Sequence, residues 1–165
     1  VYTKGLMNGV TDTEFGPAVT LTRAMLVTVL WRLEDEPVVN YLMTFDDVNA
    51  EEWYTEAVRW AAAEGIVNGY SETEFAPNAP ITREQIATII YKYADYKDIA
   101  PEDAWAIRLE YADLADIADY ATDGVMYCKL AGIMEGKEDN KFEPKAAATR
   151  AEIAAVLQRF IEGNE

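Results

Sequence analysis

The sequence has no histidine and a single cysteine, Cys128. Without an imidazole, neither a Ser-His-Asp nor a Cys-His catalytic arrangement can form, and the usual Cys/His zinc site is excluded. One cysteine also cannot form an intramolecular disulfide. Cys128 lies in the apolar run from Val125 to Leu130, so we expect a small core residue rather than a reactive thiol.

Basic residues are scarce as well: 14 Lys and Arg stand against 30 Asp and Glu, for a net charge of −16. Phosphate binding needs concentrated Lys and Arg, so this charge disfavours nucleic acid and, equally, an anionic membrane surface. No apolar run approaches the length of a membrane span, and the first residues lack the pattern of a signal peptide. We therefore expect no membrane insertion, and we expect the sequence to be a fragment of a longer protein.

Apolar residues are plentiful, because half of the 165 residues are hydrophobic and 12% are aromatic. That content suffices for one compact domain with a buried core. No linker rich in glycine or serine divides the chain, so we expect its parts to pack together.

Internal repetition is the strongest signal in the sequence. The same landmarks recur three times, first after 60 residues and then after 67. They are Gly5, Gly9, Phe15, Pro17, Thr22 and Arg23; Gly65, Gly69, Phe75, Pro77, Thr82 and Arg83; Gly132, Gly136, Phe142, Pro144, Thr149 and Arg150. We place the repeats at 1–34 (partial), 45–95 and 111–162, with an insert at 96–110.

The landmarks predict a unit of helix, ordered loop and helix, and hence an all-α fold. The first glycine of each copy fits a helix C-terminal cap with positive φ, and the second glycine fits a tight turn. The phenylalanine is expected to pin the loop to the core, and the proline to stiffen the return of the chain.

Two runs of helical periodicity flank each loop. The first helix is predicted at 52–64 and at 119–131, and the sequence begins inside its counterpart in the first copy. The second helix starts at the threonine, where the second and third copies match a capping box and the first keeps only the cap. Within the insert, Pro101 is expected to open a short extra helix that reaches Leu109.

The joint pattern resembles the S-layer homology domain. The second copy matches almost throughout, the third matches from Asp113 with Tyr120 in place of the tryptophan, and the first matches from Gly5. The matching residues of the second copy are Phe45, Asp47, Val48, Trp53, Ala57, Val58, Gly65, Ile66, Gly69, Tyr70, Phe75, Pro77, Ile81, Thr82 and Arg83.

This resemblance implies a pseudo-threefold arrangement of the repeats around a central helical bundle, with grooves between neighbours. It also implies a ligand, the secondary cell-wall polysaccharide of Gram-positive-type bacteria, which often carries pyruvate ketals. The resemblance therefore implies a cell-surface module that anchors a larger protein non-covalently.

The repeated arginines, Arg23, Arg83 and Arg150, are the leading candidate ligand-binding residues. Each follows a predicted N-cap, where a cation opposes the helix dipole and does nothing for helix stability. A guanidinium beside free backbone N–H groups suits a carboxylate. The alternative is a structural salt bridge to a neighbouring acid.

Further candidates come with structural alternatives of their own. Trp53 and Tyr120 offer flat faces for a sugar ring or for the core. Asp47 and Asp113 suit sugar hydroxyls, helix capping or pairing with the repeat arginine. The second glycines, Gly9, Gly69 and Gly136, suit either close approach of a ligand or simply the turn, and the turn is favoured.

The copies differ in ways that bear on binding. Asn68 precedes the second glycine in one copy, whereas Glu135 stands there in the third and would repel an anion. The first copy lacks its Asp and Trp. By elimination, Arg83, Asp47 and Trp53 are predicted to form the best site. At −16 the chain opposes an anionic polymer at long range, but salt screens that repulsion beyond about ten ångströms.

Two other functions compete with glycan binding. Thirty acids make chance carboxylate pairs inevitable, so a glycosidase is disfavoured, and we predict neither catalysis nor a cofactor. An architectural or spacer module that has lost glycan binding remains open, given the differences among the copies. The acidic loops lack the alternating pattern and glycine of a calcium loop, so no metal is predicted.

Overall fold

The computed structural model describes Met7, residues 16–100 and residues 107–164. Within them lie five α-helices and three short 3₁₀ turns, and no strand beyond isolated bridges, which confirms the all-α prediction. The helices are α1 (Arg23–Leu33), α2 (Thr55–Ala63), α3 (Arg83–Tyr96), α4 (Thr122–Leu130) and α5 (Arg150–Glu162), and the 3₁₀ turns are Leu114–Asp116, Asp119–Ala121 and Glu138–Asn140.

The second helix of each copy begins at the predicted threonine. The hydroxyls of Thr22, Thr82 and Thr149 each accept a hydrogen bond from the backbone N–H three residues on. The side chains of Gln85 and Glu152 in turn accept a hydrogen bond from the backbone N–H of the capping threonine, which completes the capping box. In α1 the corresponding residue is Met25, which cannot accept such a bond, as the sequence predicted.

The first helices are shorter than predicted but end where expected. α2 begins three residues after the predicted start, because the Thr55 hydroxyl accepts from the N–H of Glu52 and donates to the carbonyl of Asn49 and so holds this segment in turns. α4 is preceded by the 3₁₀ turn at Asp119–Ala121. Gly65 and Gly132 follow α2 and α4 with φ of 69° and 67°, which confirms them as C-terminal caps.

The insert departs from the prediction. α3 continues to Tyr96 and so enters it, and residues 107–109 form no helix. The start of the predicted helix, at Pro101, lies outside the described residues.

A closed ring of backbone hydrogen bonds relates the three repeats. Leu21 donates to the carbonyl of Ala148 at 2.9 Å, Ile81 donates to that of Leu21 at 3.0 Å, and Ala148 donates to that of Ile81 at 3.1 Å. Each residue precedes a capping threonine, so the ring fixes the three second helices about a common axis. This is the pseudo-threefold arrangement that the family resemblance implies.

The repeats interlock, because the second helix of one copy packs along the first helix of the next. α1 packs on α2, and α3 packs on α4. Gly124 in α4 permits the second approach, since a Cβ there would lie 2.7 Å from the backbone of Ala87. Cys128 is fully buried in α4, as predicted, and that burial raises the pKa of its thiol.

The three second helices also meet through side chains near their C-terminal ends. The rings of Tyr93 and Phe160 lie 5.4 Å apart, and the Tyr93 hydroxyl donates to Glu34, just beyond α1. Phe75 and Phe142 are fully buried, so they pin their loops as expected.

Candidate functional site

The repeat arginines are buried, and the side chains of Arg23 and Arg83 reach into the loop of the following repeat. Arg23 and Arg83 are 5% and 6% exposed. Arg23 donates from Nε to the carbonyl of Phe75 at 2.8 Å and from Nη2 to that of Asn68 at 3.0 Å. Arg83 repeats both bonds with Phe142 and Glu135. Burial lowers the pKa of both guanidinium groups.

The hydrogen-bond partners of both arginines are backbone carbonyls, which a guanidinium can satisfy in two directions at once. Arg83 also makes the expected salt bridge, since its Nη1 lies 4.0 Å from Oε1 of Glu152. The rings of Tyr70 and Phe75 lie 4.7 and 4.8 Å from the guanidinium carbon of Arg23. Arg150 is equally buried, at 6% exposed.

The repeated aspartates hold the same loops from the other side. The two carboxylate oxygens of Asp47 accept from the backbone of Phe75 at 2.9 Å and of Ala76 at 2.6 Å. Asp113 does the same for Phe142 and Glu143. This is neither helix capping nor pairing with the repeat arginine, and Asp47 faces the loop bonded by Arg23 rather than by Arg83.

A cavity of about 500 Å³ opens beside Arg23, between all three repeats. Arg23 comes from the first repeat, the loop and α3 residues come from the second, and Tyr120 comes from the third. Its lining consists of Arg23, Ile66, Val67, Asn68, Gly69, Tyr70, Gln85, Thr88, Ile89, Lys92 and Tyr120.

Among the described residues, Arg23 and Lys92 line the cavity and no acid does, so this lining carries positive charge. Burial lowers the pKa of Lys92. With the amide of Asn68 oriented to satisfy its neighbours, its oxygen accepts from Nζ of Lys92 at 3.1 Å. Neither cation has an acid within ion-pair distance among the described residues.

Aromatic rings border the cavity. Tyr70 and Tyr120 are 54% and 58% exposed, so their faces are accessible. The Tyr120 hydroxyl donates to the buried carboxylate of Glu84 at 3.2 Å, and Lys145 pairs with the same carboxylate. Burial and the neighbouring Glu84 raise the pKa of Tyr120 to about 12, so this ring stays neutral.

The structure separates the residues that the sequence grouped by elimination. Arg83 lies with the loop of Asp113 and Glu135, away from Asp47. Trp53 is 55% exposed, which excludes the core alternative, but it stands edge-on to Tyr54 and does not line the cavity.

The second glycines sit at turns with close neighbours. A Cβ on Gly69 would lie 2.4 Å from two loop carbonyls and 2.6 Å from the ring of Phe45. A Cβ on Gly136 would lie 3.1 Å from the ring of Tyr111. These contacts favour the turn interpretation. Gly9 lies outside the described residues.

Sequence reasoning missed Lys92, Gln85 and Tyr70 as lining residues. Lys92 and Gln85 lie seven positions apart in α3, so they share one face of that helix. The helical periodicity shows that the two residues share a face of α3, but it does not show which other segment that face meets. The sequence alone therefore could not place them in a cavity.

The described part of the chain holds neither a membrane-spanning helix nor a metal-binding cluster. None of its helices is long and apolar enough to cross a membrane. None of its clusters of Cys, Asp or Glu has a geometry that could hold a metal ion.

The S-layer homology domain family matches three segments of the chain, residues 1–24, 44–87 and 110–154. Each segment corresponds to one of the three repeats, and the unmatched stretches, 25–43, 88–109 and 155–165, contain most of each second helix and the connections between repeats.

Similar proteins carry this region as a part of something longer. The chain is 33% identical over 95% of its length to an amylopullulanase of Thermoanaerobacterium thermosulfurigenes, of which the match covers 8%. It is 32% identical over 96% of its length to a surface-layer 125 kDa protein of Lysinibacillus sphaericus, of which the match covers 13%. It is 26% identical over 98% of its length to a cellulosome-anchoring protein of Acetivibrio thermocellus, of which the match covers 35%.

Proposed function

Since the chain belongs to the S-layer homology family, we propose that it anchors a larger surface protein to the bacterial cell wall by binding a secondary cell-wall polysaccharide. The observation that carries the proposal is the cavity beside Arg23, whose described lining has two cations, an aromatic border and no acid. The names of the surface-layer and cellulosome-anchoring relatives support a cell-surface location.

The chemistry of the cavity favours an acidic sugar. A guanidinium and an ammonium held away from other acids bind a carboxylate strongly, because both are partly desolvated. We propose that the recognised unit carries such a group, as a pyruvate ketal does. The exposed faces of Tyr70 and Tyr120 are suited to the C–H edges of the ring.

The side-chain amides of the cavity are suited to hydrogen bonds with the neutral hydroxyls of a sugar. Gln85 donates to the Tyr70 hydroxyl at 2.8 Å and retains a second N–H, and the Asn68 side chain lies at the same wall. The net charge of −16 does not prevent binding, because salt screens the distant acids within about ten ångströms.

No catalytic role is proposed for this part of the protein. The cavity holds no pair of carboxylates, and the match to the amylopullulanase covers 8% of that enzyme. We propose that any enzymatic activity belongs to other domains of the full protein.

Co-sedimentation with purified cell-wall sacculi tests the proposal. We expect the chain to bind intact sacculi and to lose binding when the secondary polysaccharide is stripped. Lys92→Met should weaken binding about tenfold or more, because a charge-assisted contact contributes about 1.5–3 kcal/mol. The matched control is Lys129→Met, which removes the same charge from an exposed position in α4 outside the cavity.

The alternative outcomes are distinct. If the chain does not bind intact sacculi, the result would support the architectural or spacer function instead. Equal losses in the Lys92 and Lys129 variants would show that total charge, rather than this cavity, controls the interaction.

A further inference from the structure

The repeat places a cluster of charged side chains around Arg83 where the Arg23 cavity has its lining, and we call this cluster the Arg83 groove. Its chemistry differs from that of the Arg23 cavity. The shift of 60 or 67 residues puts Glu135 in the place of Asn68, Lys137 in that of Tyr70, Glu152 in that of Gln85 and Arg159 in that of Lys92. Two neutral amides have therefore become two carboxylates.

Glu152 is placed against the cations of its own groove. Its Oε1 lies 4.0 Å from Nη1 of Arg83 and also pairs with Nζ of Lys137. Its Oε2 accepts from the backbone of Thr149 at 2.9 Å, as part of the capping box. One carboxylate thus faces two cations of the groove at once.

Glu152 is ionised at neutral pH. The hydrogen bond from Lys137 and the charge of Arg83 lower the pKa of its carboxyl against the opposing effect of burial. The remaining cation, Arg159, donates to the carbonyl of Ile133 at 3.3 Å.

In the Arg23 cavity the corresponding position is neutral. Gln85 makes the same capping contact, accepting from the backbone of Thr82 at 3.1 Å. It leaves the charges of Arg23 and Lys92 uncompensated, so an external anion has somewhere to bind.

We propose that Glu152 acts as an internal anion that occupies the Arg83 groove, so that the Arg23 cavity accepts an anionic sugar and the Arg83 groove does not. Gln85 and Glu152 are then the residues that determine which groove is open. This inference rests on the proposed function, since it concerns where the same ligand binds.

Two reciprocal exchanges test it. Glu152→Gln combined with Glu135→Asn should open the Arg83 groove, and Gln85→Glu should close the Arg23 cavity. The exchanged residues at positions 85 and 152 are near-isosteric, and the other repeat shows that each supports the capping box. Both proteins should therefore fold, which circular dichroism and thermal unfolding would verify.

The measurement is calorimetric titration of the whole chain with short fragments of the purified wall polysaccharide. We expect E135N/E152Q to bind one more fragment per chain than the original protein, and Q85E to bind one fewer. Because each variant is compared with the original protein, any other binding site on the chain cancels from the difference.

The failures are distinguishable. If the original chain binds no fragment, the proposed function is wrong and the inference fails with it. If the original chain binds and E135N/E152Q gains no site while Q85E loses none, the proposed function stands and the inference is overturned.

Discussion

Asp47 shows how a single carboxylate organises a loop that contains a residue in an unfavourable conformation. It binds two consecutive backbone N–H groups, and the second belongs to Ala76, whose φ is 57°. Left-handed backbone costs a non-glycine residue about 1–2 kcal/mol. The two charge-assisted bonds offset that cost, and Asp113 does the same for Glu143 in the next repeat.

Asp47→Ala should therefore lower the free energy of unfolding by about 2–3 kcal/mol, because it leaves the N–H of buried Phe75 unsatisfied. Urea denaturation at neutral pH measures the loss. Asp46→Ala is the control, since Asp46 is exposed and only its backbone is bonded to the loop, and it should change stability by no more than about 0.5 kcal/mol. Equal effects of the two substitutions would contradict the clamp.

Arg23 both holds the second repeat and lines the cavity, which affects how it can be tested. Removing the side chain would break two buried hydrogen bonds to the second repeat as well as the cation of the cavity. Loss of binding in Arg23→Ala would therefore not separate unfolding from lost recognition. Lys92 is the more direct test of recognition, because its Nζ bonds to the side chain of Asn68 in the cavity wall and not to the backbone of a neighbouring repeat.

The elements are positioned chiefly by the contact of each second helix with the first helix of the next repeat. α3 and α4 approach closely at Gly124, where a side chain would meet the backbone of Ala87 and Thr88 at 2.7 Å. Backbone cannot yield as a flexible side chain does, so the spacing of these two helices depends on this glycine.

Gly124→Ala should be destabilising by about 1–2 kcal/mol, although alanine favours a helix by about 1 kcal/mol over glycine. The expected sign follows from the steric cost of separating α3 from α4. Thermal unfolding followed by circular dichroism measures it. Lys129→Arg, at an exposed position of the same helix, keeps the cation over the ring of Tyr111 and should shift stability by about 0.5 kcal/mol at most. A stabilised Gly124→Ala variant would show that the helices are not in contact there.

The whole molecule is closed by the ring of Leu21, Ile81 and Ala148. Each bond of the ring joins a different pair of repeats, so opening any one repeat breaks two of the three bonds. The interlocked helices have the same consequence, because the repeats share their apolar contacts. We therefore expect the three repeats to unfold together.

Native-state hydrogen exchange tests this cooperativity. The amides of Leu21, Ile81 and Ala148 should exchange with the same free energy of opening, equal to that of global unfolding. The amide of Thr73, bonded only to the exposed side chain of Ser71, should exchange much faster and serves as the reference. Exchange of Ala148 at a free energy several kcal/mol below that of Leu21 would show that the third repeat opens by itself.

The sequence by itself determined the helical class, the starts of the second helices and the glycine caps that end the first helices. These depend on local chemistry: a threonine that caps, a Gln or Glu three residues later, and a glycine with positive φ after a helix. Such signals are contained within a few residues, so they can be read without a fold.

Only the tertiary structure decided which residues share a groove. Arg23, Lys92 and Tyr120 come from three repeats and meet because each second helix is inserted beside the following loop. The same offset placed Arg83 with Glu135 and Asp113 instead of with Asp47. The sequence contains every one of these side chains. Which of them become neighbours depends on the order in which the three repeats follow one another around the ring of Leu21, Ile81 and Ala148. That order follows from packing between distant segments of the chain.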